Sequence, residues 1–236
     1  MPNSYFQFKQ FTVYQDKCAM KVSTDACILG AWFAAKIRDY TYILDIGSGT
    51  GLLMLMLAQK LKSQIHGIEL DPDCFKQLKD NIGHNNWKDK CRIFIGDART
   101  FVFPVKYDFV ITNPPFYENQ LPSDDERKNL AKHSSNLSLQ ELLDTTYTNL
   151  AEDGSLGILL PSQRVKPFRQ MAEKKGFCLS EELQVKQTTQ HDYFRSVLHF
   201  TKNKVSPVQS YSLAIKEKDE YTAEFTELLK DYYLKL

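Results

Sequence analysis

The sequence predicts an α/β protein: a three-layer sandwich around a mostly parallel, seven-stranded sheet with an antiparallel carboxyl-terminal edge. Three observations predict it. Short runs such as 42–46 and 109–112 are apolar throughout and rich in β-branched or aromatic residues, as in strands buried on both faces. These runs alternate with helix-length amphipathic stretches, the order that builds parallel sheets. Near the carboxyl end two strand-like runs, 179–186 and 193–201, follow one another and form the antiparallel edge.

At 236 residues the chain is long enough for one large domain with a sizeable core. It divides into an amino-terminal strand or hairpin and helix (1–38), a core (39–204), and a carboxyl-terminal tail and helix (205–236). Hydrophobic content of 42% and charged content of 25% are those of a soluble globular protein. The net charge of +1 means that any nucleic acid would bind to a local patch. Five cysteines, an odd number without a C-x-x-C pair, read as reduced structural residues in a cytoplasmic protein. The five histidines lack metal-ligand spacing, so no metal is expected. The start Met1-Pro2-Asn3-Ser4 lacks the basic and apolar regions of a signal peptide, and the apolar run 52–57 is too short to span a membrane.

Residues 5–14 are aromatic and partly alternating, a strand or hairpin arm. Ser23, Thr24 or Asp25 can cap a helix from Ala26 to about Lys36. The strand 42–46 runs into Gly47-Ser48-Gly49-Thr50-Gly51 and an apolar helix to about Leu61. A second strand, 64–68, precedes Glu69, and Asp71-Pro72 caps a helix with an apolar stripe at Phe75, Leu78 and Ile82. Strands follow at 92–95 and 107–112. Residues 117–137 are polar and long for a compact domain, which is the length of either a mobile lid or a solvated loop. Ser138-Leu139-Gln140-Glu141 has the capping-box pattern, with Gly154 ending that helix. A strand at 155–160, a basic helix from Pro167 to Lys175 and a last amphipathic helix from Ala223 to about Tyr233 complete the chain.

The ends of four successive strands carry ligand-type residues. Strand, glycine loop and helix form a nucleotide-binding arrangement, because glycines permit close backbone approach and a helix start offers free N–H groups. The dinucleotide fingerprint G-x-G-x-x-G/A requires a small residue where this chain has Leu52, which disfavours a nicotinamide enzyme. Glu69, about twenty positions on, is placed to accept from ribose hydroxyls. Asp97 and Ala98 end the third strand. Asn113-Pro114-Pro115-Phe116 ends the fourth, where two prolines stop the ladder and leave a stiff loop. The Asn113 side-chain oxygen and the Pro114 carbonyl can each accept one N–H of an exocyclic amine, and Phe116 offers a face for a planar base.

The spacing of Asp45 and the glycine loop resembles the first motif of S-adenosylmethionine-dependent methyltransferases. The string Val110-Ile111-Thr112-Asn113-Pro114-Pro115-Phe116 resembles the signature of those that methylate amino groups of adenine, cytosine or glutamine. Phe8-Lys9-Gln10-Phe11, Cys18-Ala19-Met20-Lys21-Val22-Ser23-Thr24-Asp25 and Leu29-Gly30-Ala31-Trp32 are similar to the bacterial tRNA1(Val) (adenine-37) N6-methyltransferase family, except that Ser23 replaces the usual Gly. The resemblance covers about residues 6–202. It implies a Rossmann-like methyltransferase fold and S-adenosylmethionine as cofactor, with S-adenosylhomocysteine as product. It also implies contacts to that cofactor from Lys21, Thr24, Asp45, Gly47, Gly49, Gly51, Glu69, Asp97, Ala98 and Asn113. Asn113, Pro114, Pro115 and Phe116 would then be catalytic. The implied partner is a tRNA anticodon loop, met by a monomer in the cytoplasm without metal or membrane.

Charge supports an RNA partner: residues 161–210 hold nine Lys and Arg against four acids, a net +5. The same motif serves glutamine methylation in release factors or methylation of other RNA. A cofactor-binding RNA-interaction protein without catalysis is a different class, disfavoured by the intact Asn113–Phe116 loop.

Overall fold

In the computed structural model the strands and helices alternate as the apolar pattern dictates; residues 3–37, 40–115, 137–203 and 207–236 are described. Phe116 and residues 117–136 lie outside them, so neither the stacking role nor the lid is addressed by the fold. The elements are β1 (Tyr5–Gln7), β2 (Thr12–Tyr14), α1 (Thr24–Lys36), β3 (Tyr42–Ile46), α2 (Leu52–Lys60), β4 (Gln64–Glu69), α3 (Pro72–Gly83), β5 (Cys91–Ile95), β6 (Tyr107–Thr112), α4 (Leu139–Asn149), β7 (Leu150–Pro161), α5 (Ser162–Lys175), β8 (Cys178–Thr188), β9 (Tyr193–Thr201), β10 (Gln209–Glu217), β11 (Glu220–Tyr221) and α6 (Ala223–Leu229).

The seven expected strands form one sheet, and two more extend it: the order is β11-β10-β8-β9-β7-β6-β3-β4-β5. Strands β5, β4, β3, β6 and β7 run parallel, and β9 lies antiparallel between β7 and β8. Residues 209–217, read from the sequence as tail, pair parallel with β8. Residues 5–14 form a separate two-stranded hairpin with Tyr5 opposite Tyr14.

Both sheet faces are covered, which is why the central strands are apolar throughout. On one face Ile43, Phe109 and Ile111 pack with α1, α2, α3 and α6; on the other Leu44, Ile46, Tyr107 and Val110 pack with Leu142 and Leu143 of α4 and Phe168 and Ala172 of α5. Burial of this apolar surface is the main favourable term in folding. Helix α3 starts as its sequence requires: the Asp71 side chain accepts from the Asp73 and Cys74 amides, with Pro72 at the first position. Helix α4 carries the full capping box between Ser138 and Glu141.

Three helix boundaries differ from the sequence pattern, and one is that of α6, which ends at Leu229 rather than near Tyr233. Helix α4 ends at Asn149, and Gly154 lies inside β7. Glycine stands there for space, since a Cβ would come within 2.9 Å of the Leu150 side chain and 3.0 Å of the Tyr107 carbonyl. Helix α5 begins at Ser162, before Pro167, which sits within it. The cysteines also depart from expectation: Cys18 and Cys74, 56 residues apart in sequence with Cα atoms 4.7 Å apart, are joined as a disulfide, while Cys27, Cys91 and Cys178 are free.

Gly157 of β7 sits where α1 meets the sheet, and a Cβ there would lie 2.5 Å from the Phe33 ring and 2.6 Å from the Phe109 ring. Overpacking of this kind costs about 1–3 kcal/mol. Gly157→Ala is therefore expected to unfold at lower urea with an unchanged slope, whereas wild-type stability would show that the two rings give way freely.

Candidate active site

The sheet reverses its order of addition between β3 and β6. From β3 the chain builds outward through β4 to β5, then returns to the other flank of β3 with β6. The loops leaving the carboxyl ends of β3 and β6 therefore diverge and leave a crevice, the place where open α/β sheets bind ligands. A cavity of about 750 Å³ opens there, within the range of sites for small molecules. Its wall contains Gly47, Gly49, Glu69, Asp97, Ala98, Asn113, Pro114 and Pro115.

The floor is the glycine loop. Gly47, Gly49 and Gly51 take φ of 73°, 53° and 84°, a region that β-carbons disfavour. The Gly47 and Ser48 amides donate to the Ile68 carbonyl at 3.0 and 3.1 Å, which ties the loop to the end of β4. Glu69 continues that tie. One of its oxygens accepts from the Gly49 amide at 2.8 Å and the other from the Asp71 amide at 2.9 Å. Each oxygen keeps lone-pair capacity for a ligand hydroxyl.

Beneath the loop lies Asp45, fully buried; the Ser48 side chain lies beside its carboxylate but donates to the Asp45 carbonyl, leaving both carboxylate oxygens without a hydrogen bond of normal geometry. Burial, reinforced by the charge of Glu69, pushes its carboxyl up to about 8. A buried carboxylate without a partner is costly, and a cation supplied from the cavity side would relieve it. S-adenosylmethionine has the matching groups: an ammonium for Asp45, a ribose diol for Glu69 and an exocyclic amine for Asp97, and Gly47 and Gly49 on the wall present no β-carbon to it. The residues present thus fit this cofactor.

The opposite wall is the end of β6. The Thr112 hydroxyl donates to the Ile46 carbonyl at 2.9 Å, holding the acceptor loop against the start of the glycine loop. Beyond it the Asn113 side-chain oxygen is buried and bonds to no described residue. It is an unpaired acceptor on the cavity wall itself.

Four expected positions are not on the cavity wall: Lys21, Thr24, Asp45 and Gly51. The Thr24 side chain faces Tyr233. Residues just before Lys21 do line the cavity: Lys17, Cys18, Ala19 and Met20 form part of the wall. They are pinned to α3 by Gln77, whose Oε1 accepts from the Lys17 amide at 3.0 Å, and by the disulfide to Cys74. Apart from the family-like string that begins at Cys18, no local pattern marks this segment, because its placement depends on a helix some 60 positions away. Leu137, at the foot of α4, also reaches the wall. Among the described residues no group of His, Cys, Asp or Glu forms a metal cluster, and no helix is long and apolar enough to cross a membrane.

Comparison with known proteins agrees with this geometry. The fold is that of solved methyltransferases. It matches a predicted O-methyltransferase of Agrobacterium tumefaciens with a TM-score of 0.69 at 14% identity, over 88% of this chain and 96% of that one. The glycopeptide N-methyltransferase MtfA, solved with S-adenosylmethionine, matches with a TM-score of 0.55 at 11% identity, over 76% of this chain and 87% of that one. The Methyltransferase small domain family matches residues 26–178, so fold and site define an S-adenosylmethionine-dependent methyltransferase. Relatives extend over the whole length. The tRNA1(Val) (adenine(37)-N6)-methyltransferase of Dyadobacter fermentans is 40% identical over 99% of this chain and 98% of its own. That of Trichodesmium erythraeum is 36% identical over the full length of both. The chain belongs to this family of methyltransferases.

Asp45 gives a pH dependence with a definite sign. Its carboxyl ionises near 4 when unfolded and near 8 when folded. The folded state therefore holds the extra proton, and stability from this group falls as pH rises through that window. Without cofactor, the stability of Asp45→Asn relative to wild type is expected to improve steadily from pH 5 to pH 8, by urea denaturation. A difference independent of pH would place the Asp45 titration elsewhere.

Proposed function

We propose that the protein transfers a methyl group from S-adenosylmethionine to N6 of adenine 37 in tRNA1(Val). One observation carries the chemistry: the unbonded Asn113 oxygen stands on the wall of the same cavity that holds the glycine loop and Glu69. The acceptor comes from the relatives, whose names specify that nucleotide and whose similarity spans the whole chain.

The residues divide the work. Asp45, Gly47, Gly49, Gly51, Glu69, Asp97 and Ala98 hold the cofactor, with Lys21 and Thr24 confined to supporting the lead segment. Bound S-adenosylmethionine supplies an electrophilic sulfonium methyl. The Asn113 Oδ1 and the Pro114 carbonyl each accept one N–H of the adenine amine. This turns the nitrogen lone pair out of conjugation with the ring and towards the methyl. The prolines keep that pair of acceptors from drifting, since Pro114 and Pro115 have fixed φ. Phe116 is assigned to stack on the flipped base. The amine attacks as a neutral group and releases its proton afterwards, so positioning and electrostatics supply most of the rate. The base must leave its stack, which a loop purine does at modest cost.

The RNA-facing charge is smaller than composition alone suggests. Lys175 pairs with Asp144 at 2.6 Å, Arg169 with Glu173 at 2.8 Å and Arg195 with Asp25 at 2.9 Å. Lys166 and Lys174 of α5 stay exposed. We take the enzyme to act as a monomer, and transfer RNA as substrate supports the cytoplasm as its place.

Labelled S-adenosylmethionine with total tRNA from a strain lacking the enzyme is expected to give N6-methyladenosine in one valine tRNA, detected by nucleoside mass analysis. Asn113→Ala is expected to lower kcat on the order of 10²-fold, with cofactor binding retained. Label in a release-factor glutamine instead of tRNA, or an Asn113→Ala variant at wild-type rate, would overturn the assignment.

A further inference from the structure

The geometry points to Arg99 as a positioning residue that makes the site selective for a cofactor base bearing an exocyclic amine. Arg99 is not on the cavity wall; Asp97 is, and Arg99 acts through it. The guanidinium grips both oxygens of Asp97. Its Nε donates to Oδ1 at 3.0 Å and to Oδ2 at 2.9 Å, and its Nη2 donates to Oδ2 at 2.6 Å. The Arg99 amide adds a bond to Oδ1 at 2.9 Å. The Asp97 side chain is 29% exposed, so without this grip its carboxylate would be free to turn towards water. A guanidinium fork fixes the plane of a carboxylate as no lysine can. These three N–H donors take most of the carboxylate's roughly four lone-pair sites, and the one that remains serves the cavity side.

The same guanidinium reaches further. Its Nη1 donates to Glu141 Oε1 at 3.1 Å. Glu141 Oε2 accepts from the Ser138 amide at 2.9 Å and from the Ser138 hydroxyl at 2.7 Å. Ser138 follows Leu137, which is on the cavity wall. Arg99 thus joins the wall made by the loop after β5 to the wall made by the foot of α4. Without this cation, two carboxylates would face one another across the gap. Hydrogen bonding to Arg99 also holds the Asp97 carboxyl below the usual carboxylate range, so it stays ionised at neutral pH. An ionised carboxylate only accepts hydrogen bonds. It welcomes the 6-amino group of adenine and repels the 6-oxo group of hypoxanthine.

This inference rests on the assignment of Asp97 to the cofactor base, and the test separates the two. Calorimetry would compare binding of S-adenosylhomocysteine and S-inosylhomocysteine to the full chain. A charge-assisted hydrogen bond amounts to roughly a 10- to 100-fold preference, so the wild type is expected to favour the adenosyl compound by that ratio. Asp97→Asn, which can turn its amide towards the 6-oxo group, is expected to lose most of the preference. Arg99→Gln and Arg99→Lys are expected to lower it to a few-fold, with Lys retaining more. A merely structural role for Arg99 would weaken both compounds together and leave the ratio at its wild-type value. That result, alongside a collapsed ratio in Asp97→Asn, overturns the inference. A wild-type ratio near one, or one unchanged in Asp97→Asn, overturns the assignment of Asp97 and the inference with it. Arg99→Lys keeps the cation and covers the case in which Arg99→Gln fails to fold.

Discussion

The parallel pairing of β3 with β6 is the constraint on which the site depends. It sets Ile43, Leu44 and Asp45 beside Phe109, Val110 and Ile111. One residue beyond that register, the Thr112 hydroxyl meets the Ile46 carbonyl. The cofactor loop and the acceptor loop begin from this shared point. A slip of one residue would turn the apolar side chains of β6 to the opposite faces, and both hydrophobic clusters forbid it. The core thus fixes the relative height of Gly47 and Asn113.

The electrostatics of the crevice are those of a site that awaits a cation. Asp45 is fully buried with no cation beside it among the described residues, and Glu69 is near enough to raise its carboxyl further. Such a group lowers the stability of the empty fold and is satisfied only when a positively charged ligand arrives. Ligand binding to the folded state then stabilises it in proportion to occupancy. Asn113 adds a second unsatisfied acceptor. Buried polar atoms without partners are uncommon in native proteins, and here Asn113 carries one on the cavity wall while Asp45 lies one residue before wall residue Ile46.

How far the sequence disclosed all this follows from the range of each signal. Strands β3, β6 and β7 were legible because continuous apolar runs report burial on both faces, whereas β5, β8 and β9 are half-exposed or mixed and were read from strand-like composition between turn signals. The Asp71 and Ser138 caps were legible because capping is a matter of three or four residues. Gly154 misled, since a glycine just beyond a helix resembles a cap, whereas its role is to clear the Leu150 side chain and the Tyr107 carbonyl. The short alternation around Leu213 and Ile215 was too brief to reveal β10. The Cys18–Cys74 pairing had no local signal at all, being made by the approach of two distant segments. At the site, Gly47, Gly49, Glu69, Asp97 and Asn113 were legible as strand-end residues. The wall at Lys17 to Met20 was not, because side chains of α3 place it.

That wall has a consequence for exchange of the cofactor. Asn81, 1% exposed, bonds to both the amide and the carbonyl of Tyr14 and also to the Thr50 carbonyl. Gln77 and Cys74 continue the attachment one and two helical turns earlier. The hairpin, the glycine loop and α3 therefore form one framework along one side of the cavity. A segment already fastened in place loses little freedom when a small molecule arrives, so this side of the pocket imposes little entropic penalty on association. It also gives way reluctantly, and a spent cofactor would leave past some other edge of the crevice.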